Sequence, residues 1–271
     1  MELVSICIPA YNNEKDIKKT IESLLQQTYQ NIEILVVDDA STDHTYEIVE
    51  AFQDKRVHLY RNEKNLGMSG NWNRCVALAR GEYVKLICAD DILLPESIET
   101  EVKAMMADSS IVMTVNDSVM INREGKKLGI FSRYPRKGIM DGRVLARKSL
   151  VYNNYFGMPC AVMFRKDIFQ KAGGFDSTFQ YILDFDLWLS MAPFGKVEVL
   201  KQKLNYFMLR EDSNTGKVMT KDKKAYYEEH VILINKHADC LQVGKGGRFL
   251  SKVLRKGRTA AYGMWMKRVL R

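Results

Sequence analysis

The chain lacks most of the signatures that assign a protein at a glance. It has no internal repeat and no low-complexity stretch. Its cysteines (Cys7, Cys75, Cys88, Cys160 and Cys240) are odd in number, scattered and without a C-x-x-C spacing. That pattern argues against a disulfide framework or a cysteine zinc site and points to a reducing compartment. The longest uncharged run, residues 149–164, has 16 residues and contains Asn153, Asn154, Gly157 and Pro159, which is too short and too polar to cross a bilayer. No basic segment precedes a long apolar stretch at the start, so no secretory signal is expected and the cytoplasm is the expected location. There is no G-x-S-x-G, no P-loop and no G-x-G-x-x-G, which leaves hydrolase, kinase and dinucleotide readings without support. His44, His58, His230 and His237 show no metal-ligand spacing.

What is present is a globular composition, 46% hydrophobic and 27% charged, with ample chain for a core. The net charge of +8 is unevenly placed: residues 244–271 hold nine basic side chains and no acid, so the rest is close to neutral. The first 120 residues alternate short apolar runs (3–9, 32–37, 57–60, 83–88 and 111–115) with amphipathic stretches (14–27, 43–52, 68–79 and 95–107). Runs that are apolar throughout, separated by helical crossovers, predict an α/β fold with a mostly parallel central sheet flanked by helices. Right-handed crossovers bring the strands' carboxyl ends to one edge, where ligands bind in open sheets. Three polar clusters, Tyr11-Asn12, Asp38-Asp39 and Asp90-Asp91, follow strands directly and are expected to converge there. Beyond residue 120 the pattern loosens. Residues 121–148 read as loop, 161–165 as a strand, 173–176 as a turn, 183–191 as a helix and 197–207 as one or two strands. No linker divides residues 1–235, taken as one domain; residues 236–271 form a basic helical extension.

Two acidic clusters carry the chemical signal. Ser41 and Asp43 are accounted for as helix caps. Adjacent Asp38 and Asp39 at the end of a buried strand are not, because like charges raise the cost of burial. Asp90-Asp91 is a second such pair, with capping as the plain reading of Asp91. Hard divalent cations are often held by one or two carboxylates plus substrate phosphates, so the pair suits Mg2+ or Mn2+ on a nucleoside diphosphate.

The motifs Pro9-Ala10-Tyr11-Asn12, Asp38-Asp39-x-Ser41-x-Asp43, Asn65-x-Gly67, Gly81-Glu82-Tyr83, Asp90-Asp91, Gly173-Gly174-Phe175-Asp176 and Asp184-Phe185-Asp186-Leu187-Trp188 occur in this order. Together they resemble a family 2 inverting glycosyltransferase of the GT-A fold over roughly residues 3–215. The resemblance implies a nucleotide pocket of Pro9, Ala10, Tyr11, Glu14, Asn65 and Gly67, with Asp39 accepting a hydrogen bond from the base, commonly uracil. It implies metal binding at Asp90, with Asp91 beside it, and Asp184 as general base. It also implies donor-sugar and acceptor contacts from Gly174, Phe175, Asp186, Trp188 and Arg210. The chain departs from the pattern at Cys88, which replaces the first acid of D-x-D, at Leu183, which replaces the acid before the base, and after Arg210, where a histidine is common. A thiol is a poor ligand for a hard cation, so the metal rests mainly on Asp90.

Direct displacement at an anomeric carbon needs one base for the acceptor hydroxyl and positive charge for the departing diphosphate. Asp184 supplies the first; the metal and Arg210 supply the second. The expected function is therefore hexosyl transfer from a nucleotide sugar, most naturally a UDP-sugar, to a glycan or lipid-linked acceptor in cell-surface polysaccharide synthesis. A catalytically impaired nucleotide-sugar binder and a basic nucleic-acid module are the rivals. The second leaves the acidic strand ends unexplained, and no nucleic-acid partner is expected. Residues 248–271 place Phe249, Leu250, Val253, Leu254, Ala261, Met264 and Trp265 near helical spacing among basic residues. This is the pattern of a helix lying on an anionic membrane, or of one packed on the body with a solvated basic face.

Overall fold

The computed structural model describes residues 2–132, 134, 136–210, 212, 213, 216 and 222–269, and in the last helix the side chains of 245–262, 264 and 265. The chain begins with β1 (Val4–Ala10), α1 (Ile17–Leu25), β2 (Ile32–Asp38), α2 (Thr45–Glu50), β3 (Val57–Arg61), α3 (Gly67–Leu78) and β4 (Tyr83–Leu86). It continues with β5 (Ile92–Leu93), α4 (Ser97–Ala107), β6 (Ile111–Ile121), β7 (Lys127–Phe131), β8 (Gly138–Asp141), α5 (Gly142–Val151), β9 (Val162–Arg165), α6 (Lys166–Ala172), α7 (Leu183–Met191) and β10 (Lys196–Met208). Two helices follow, α8 (Lys223–His237) and α9 (Lys245–Val269).

Ten strands among the described residues form one sheet, with the central order β3-β2-β1-β4-β9-β6-β10-β5. The expected α/β architecture is present. β3, β2, β1 and β4 are parallel neighbours. Parallelism is interrupted at β9, which lies antiparallel between β4 and β6; β10 then runs parallel to β6. The sheet is covered on both faces because side chains alternate along each strand. Cys7, Leu35 and Val37 join a core with Trp72, Leu145, Phe185 and Leu233 from α3, α5, α7 and α8. Their strand neighbours Ile6, Ile8, Ile34 and Val36 join a second core with Ile17, Ile21, Val102 and Met105 from α1 and α4. That two-sided burial is why these strands are apolar at every position.

Residues 121–148, expected as loop, instead contain β7, which pairs with β6, then β8, which pairs with β10, and α5. These elements lie at the periphery. Lys127, Arg143, Arg147 and Lys148 are exposed on them, so their composition imitates a loop, although Ile130 and Ile139 are exposed as well. Asp141 caps α5 by accepting from Val144 N–H at 2.9 Å. The boundary expected between residues 235 and 236 lies inside α8.

α9 is oriented with its polar side inward. Ser251, Arg255 and Thr259 are buried, whereas Phe249, Leu250, Val253 and Met264 are exposed on the opposite side. Ser251 Oγ donates to Leu150 O at 2.6 Å and Arg255 Nη2 to Ser149 O at 2.7 Å; Arg258 Nη1 donates to Tyr152 O. α9 thus satisfies carbonyls at the C-terminus of α5, where cations are favoured by the helix dipole.

Candidate active site

The carboxyl ends of β1 and β2 open on one edge, with Ala10 opposite Asp38. The chain then turns sharply at Asn12 and Ala40, which adopt left-handed φ values of 53° and 57°. The two turns hold each other: Asp39 N–H donates to Ala10 O at 2.8 Å, Asn12 N–H to Ser41 Oγ at 3.0 Å and Thr42 N–H to Asn12 Oδ1 at 2.9 Å. Glu14 Oε2 accepts from His44 N–H at 3.2 Å. Asp39 is buried, and its Oδ1 accepts from Asn62 Nδ2 at 2.6 Å and from Leu66 N–H at 2.8 Å. It is thereby tied to the start of α3. Asp38 lies 3.3 Å from Arg61 Nε, which offsets its repulsion from Asp39. Pro9 and Ala10 lie within buried β1 and shape this edge through the backbone. Tyr11 is exposed; Asn65 Oδ1 accepts from Gly67 N–H at 2.9 Å.

After β4 the chain delivers Cys88, Asp90 and Asp91, whose ligand atoms lie within 4.8 Å of one another. Asp91 Oδ1 accepts from Met208 N–H at 2.9 Å, while its buried Oδ2 has no hydrogen-bond partner. Asp90 Oδ2 lies 2.8 Å from Arg210 Nη2. Arg210 also meets Asp16 at 3.4 Å, and Asp16 meets Arg123 at 3.2 Å. Burial raises the Asp90 and Asp91 carboxyls above the ordinary range, with the Asp90 charge adding to the rise at Asp91. The Cys88 thiol is pushed up by burial and then by the charges of Asp91, Asp90 and Asp184. The donor set, two carboxylates with an orphaned buried oxygen, fits a hard divalent cation, with the protonated thiol as bystander.

Asp184 lies in the first turn of α7 and faces a cavity of about 190 Å3 that Cys88 also lines. Met68 and Trp72 of α3 form another wall, so the helix that starts at Asp39's partners ends its first turns at Asp184's cavity. Tyr226 and His230 of α8 and Arg255, Arg258, Thr259 and Tyr262 of α9 close the remaining side. Burial, with the nearby Arg255 charge, lowers His230 to about 3. His230 is therefore a neutral wall group at physiological pH.

The structure gathers Asp184, Cys88 and, through the Cys88 cluster, Asp90 and Asp91. Asp39 sits apart from the cavity and is connected to it by α3. Four residues expected at the sugar or acceptor are placed elsewhere. Asp186 is buried against Lys236 Nζ at 2.8 Å and His237 Nε2 at 2.7 Å. Trp188 is fully buried in the core, 5.7 Å from the Phe164 ring. Gly174 and Phe175 are clasped by Asn73, whose Oδ1 accepts from Phe175 N–H at 2.8 Å and whose Nδ2 donates to Phe175 O at 2.9 Å. Phe175 then meets Trp72 edge-on at 5.1 Å, so it supports a cavity wall from behind. Arg210 faces Asp90 and Asp16. Sequence reasoning missed Asp16, which carried no signal beyond an acid near a helix start. It also missed the cavity role of Arg255, Arg258 and Tyr262, whose one-sided helical spacing was visible but was read with the rest of the basic tail.

The sheet thus carries carboxylates at its carboxyl edge, with one aspartate, Asp184, facing an adjoining cavity. Residues 5–173 match the family model described as Glycosyl transferase family 2, and the chain belongs to that family. It is 32% identical over 197 residues, 72% of each chain, to an Escherichia coli protein named UDP-Glc:alpha-D-GlcNAc-diphosphoundecaprenol beta-1,3-glucosyltransferase WfaP. It is 44% identical over 101 residues, 36% of this chain and 34% of the other, to glycosyltransferase GlyG of Streptococcus pneumoniae. Among solved structures, TarS of S. aureus in complex with UDP-GlcNAc shares the fold with a TM-score of 0.69 and 20% identity, over 97% of this chain and 71% of that one. Mannosyltransferase PcManGT of Pyrobaculum calidifontis, in complex with GDP-Man and Mn2+, has a TM-score of 0.59 and 18% identity, over 99% and 72%.

Proposed function

We propose that the enzyme transfers a hexosyl group, with inversion, from a UDP-sugar to a hydroxyl of a lipid-linked glycan in cell-surface polysaccharide synthesis. The carrying observation is that Asp184 faces the same cavity as Cys88, whose neighbours Asp90 and Asp91 form the acidic cluster. A single displacement needs one base, and Asp184 takes the acceptor proton. Arg210, held between Asp90 and Asp16, would stabilise the charge that develops on the leaving diphosphate. Asp90 and Asp91 would hold Mn2+ or Mg2+, which when bound neutralises diphosphate charge. Asp39 receives the base at the edge stitched by the loops after β1 and β2. The printed donor and acceptor of WfaP and the ligands named for TarS and PcManGT support this class of substrates.

The test is nucleoside-diphosphate release from UDP-glucose, UDP-GlcNAc and GDP-mannose, with and without Mn2+. Asp184→Asn is expected to lower kcat by about 100-fold or more while donor KM changes little. An unchanged kcat would remove Asp184 as base. Donor binding without turnover in the wild type would favour the inactive binder.

Among the described residues no helix is long and apolar enough to cross a membrane. Peripheral contact is carried by the outer side of α9. Phe249, Val253, Ala260 and Met264 form an exposed stripe along it, and Lys245, Lys252 and Lys256 lie on one flank. An apolar stripe beside lysines suits an anionic bilayer surface. Phe249→Glu with Val253→Glu should abolish flotation with phosphatidylglycerol vesicles at low salt; undiminished flotation would refute the contact.

A further inference from the structure

We propose that Arg255 and Arg258 bind a phosphate group carried by the sugar acceptor, making the inner side of α9 the acceptor wall of the active site. The inference rests on the transferase reading and adds the chemical class of the acceptor's anchoring group. Three observations carry it. First, α9 lies beyond the family match, which ends at residue 173, yet its Arg255, Arg258, Thr259 and Tyr262 line the cavity that Asp184 faces. Second, Asp184 is the sole carboxylate among the lining residues, against two guanidinium groups, and His230 is held neutral, so the cavity favours an anion. A guanidinium presents its donors in a planar fork that matches phosphate oxygens. Third, the wall is rigidly mounted. Ser251, Arg255 and Arg258 donate to the carbonyls of Leu150, Ser149 and Tyr152, and the Arg255 guanidinium lies 5.1 Å from the Phe185 ring centre.

The donor's own diphosphate does not account for these arginines. In the proposed function it falls to Asp90, Asp91 and Arg210, none of which lines this cavity. Phe131, Met158 and Phe207 add apolar lining to the same cavity, and the far side of α9 is an exposed apolar stripe. One helix therefore presents cations to the base and apolar side chains outward. That arrangement suits an acceptor whose phosphate is borne by a lipid lying in a membrane surface. A free sugar phosphate shares the recognised chemistry, and the two sources are separated by the choice of probe.

The full chain, saturated with UDP and Mn2+ to occupy the donor side, is titrated calorimetrically with farnesyl diphosphate, inorganic pyrophosphate and farnesol. Farnesyl diphosphate is expected to bind the wild type. Arg258→Gln should weaken it at least tenfold and Arg258→Lys less, with UDP affinity unchanged in both. Arg255→Lys, which keeps the charge in a buried position, should weaken it several-fold. Pyrophosphate binding as tightly as farnesyl diphosphate, and equally lost in Arg258→Gln, supports the phosphate site and assigns it to soluble acceptors. Farnesol binding as tightly as farnesyl diphosphate, or a farnesyl diphosphate affinity within twofold of wild type in Arg258→Gln, overturns the proposal. Asp184-dependent turnover persisting beside that negative result would remove only the phosphate site; failure of the wild type to bind UDP would remove the transferase reading itself.

Discussion

Replacing Lys85 by methionine tests the polar network buried beneath the acidic cluster. Lys85 Nζ lies 2.8 Å from both oxygens of Glu101, and neither side chain has any solvent exposure. Glu101 also accepts from Asn116 Nδ2 at 2.9 Å and Thr114 Oγ1 at 3.3 Å, and Asn205 Nδ2 donates to Asn116 Oδ1 at 2.7 Å. The Glu101 carboxyl is raised above its ordinary range because burial outweighs the pull of Lys85. Desolvation thus consumes much of the attraction, and the pair is not a large net stabiliser. Removing one partner is a different matter. Lys85→Met leaves the α4 carboxylate of Glu101 buried with only neutral donors, at a cost of about 3–5 kcal/mol out of a typical total of about 5–15 kcal/mol. Lys85→Met with Glu101→Leu removes both charges and should recover most of that loss. The sign with pH follows from the raised carboxyl. Loss of Lys85 raises it further, so the protonated folded form is favoured at low pH and the penalty is present in full only above the folded pKa. Urea denaturation of the single and double variants at pH 8 and pH 5 reads these differences. A single variant costing under about 1 kcal/mol, or a double variant no better than the single, would refute this reasoning.

Two further outcomes follow from buried groups. His230 stays neutral in the folded chain down to about pH 3 but protonates near 6.5 when unfolded, so folding stability should fall by about 1.4 kcal/mol per pH unit across that window. His230→Gln should give a shallower stability slope between pH 6.5 and pH 4.5 by denaturant titration, and parallel slopes would contradict the assignment. Asp186→Asn should cost about 2 kcal/mol by weakening its bonds to Lys236 and His237, yet leave donor turnover near wild type. A large fall in kcat without loss of stability would return Asp186 to the reaction centre.

Much of the site was legible in the sequence because strand ends are local events. An apolar run that stops at Asp38-Asp39 or just before Asp90-Asp91 marks the end of a buried strand, and right-handed crossovers place such ends on one edge. The alternation along β1 and β2 likewise follows from a period of two, with Cys7 and Ile6 bound for opposite cores. Other features depend on partners remote in the chain, and no local pattern encodes those. β9 enters antiparallel between β4 and β6, both of them far upstream in the chain. Asp186 resembled an acceptor contact in its motif, but His237, 51 residues later, captures it. The composition of residues 121–148 showed polarity without saying whether it belonged to a loop or to the outer face of peripheral elements.

By itself, then, the chain's order of residues determined the layered α/β architecture and the acidic strand ends at its edge. Each is written in spacing within a few turns or one strand. Only the tertiary structure decided that α9 docks with its arginines inward and its apolar residues outward. A helix's periodicity defines two faces without saying which is buried; the carbonyls at the end of α5 and the cavity beside Asp184 made that choice.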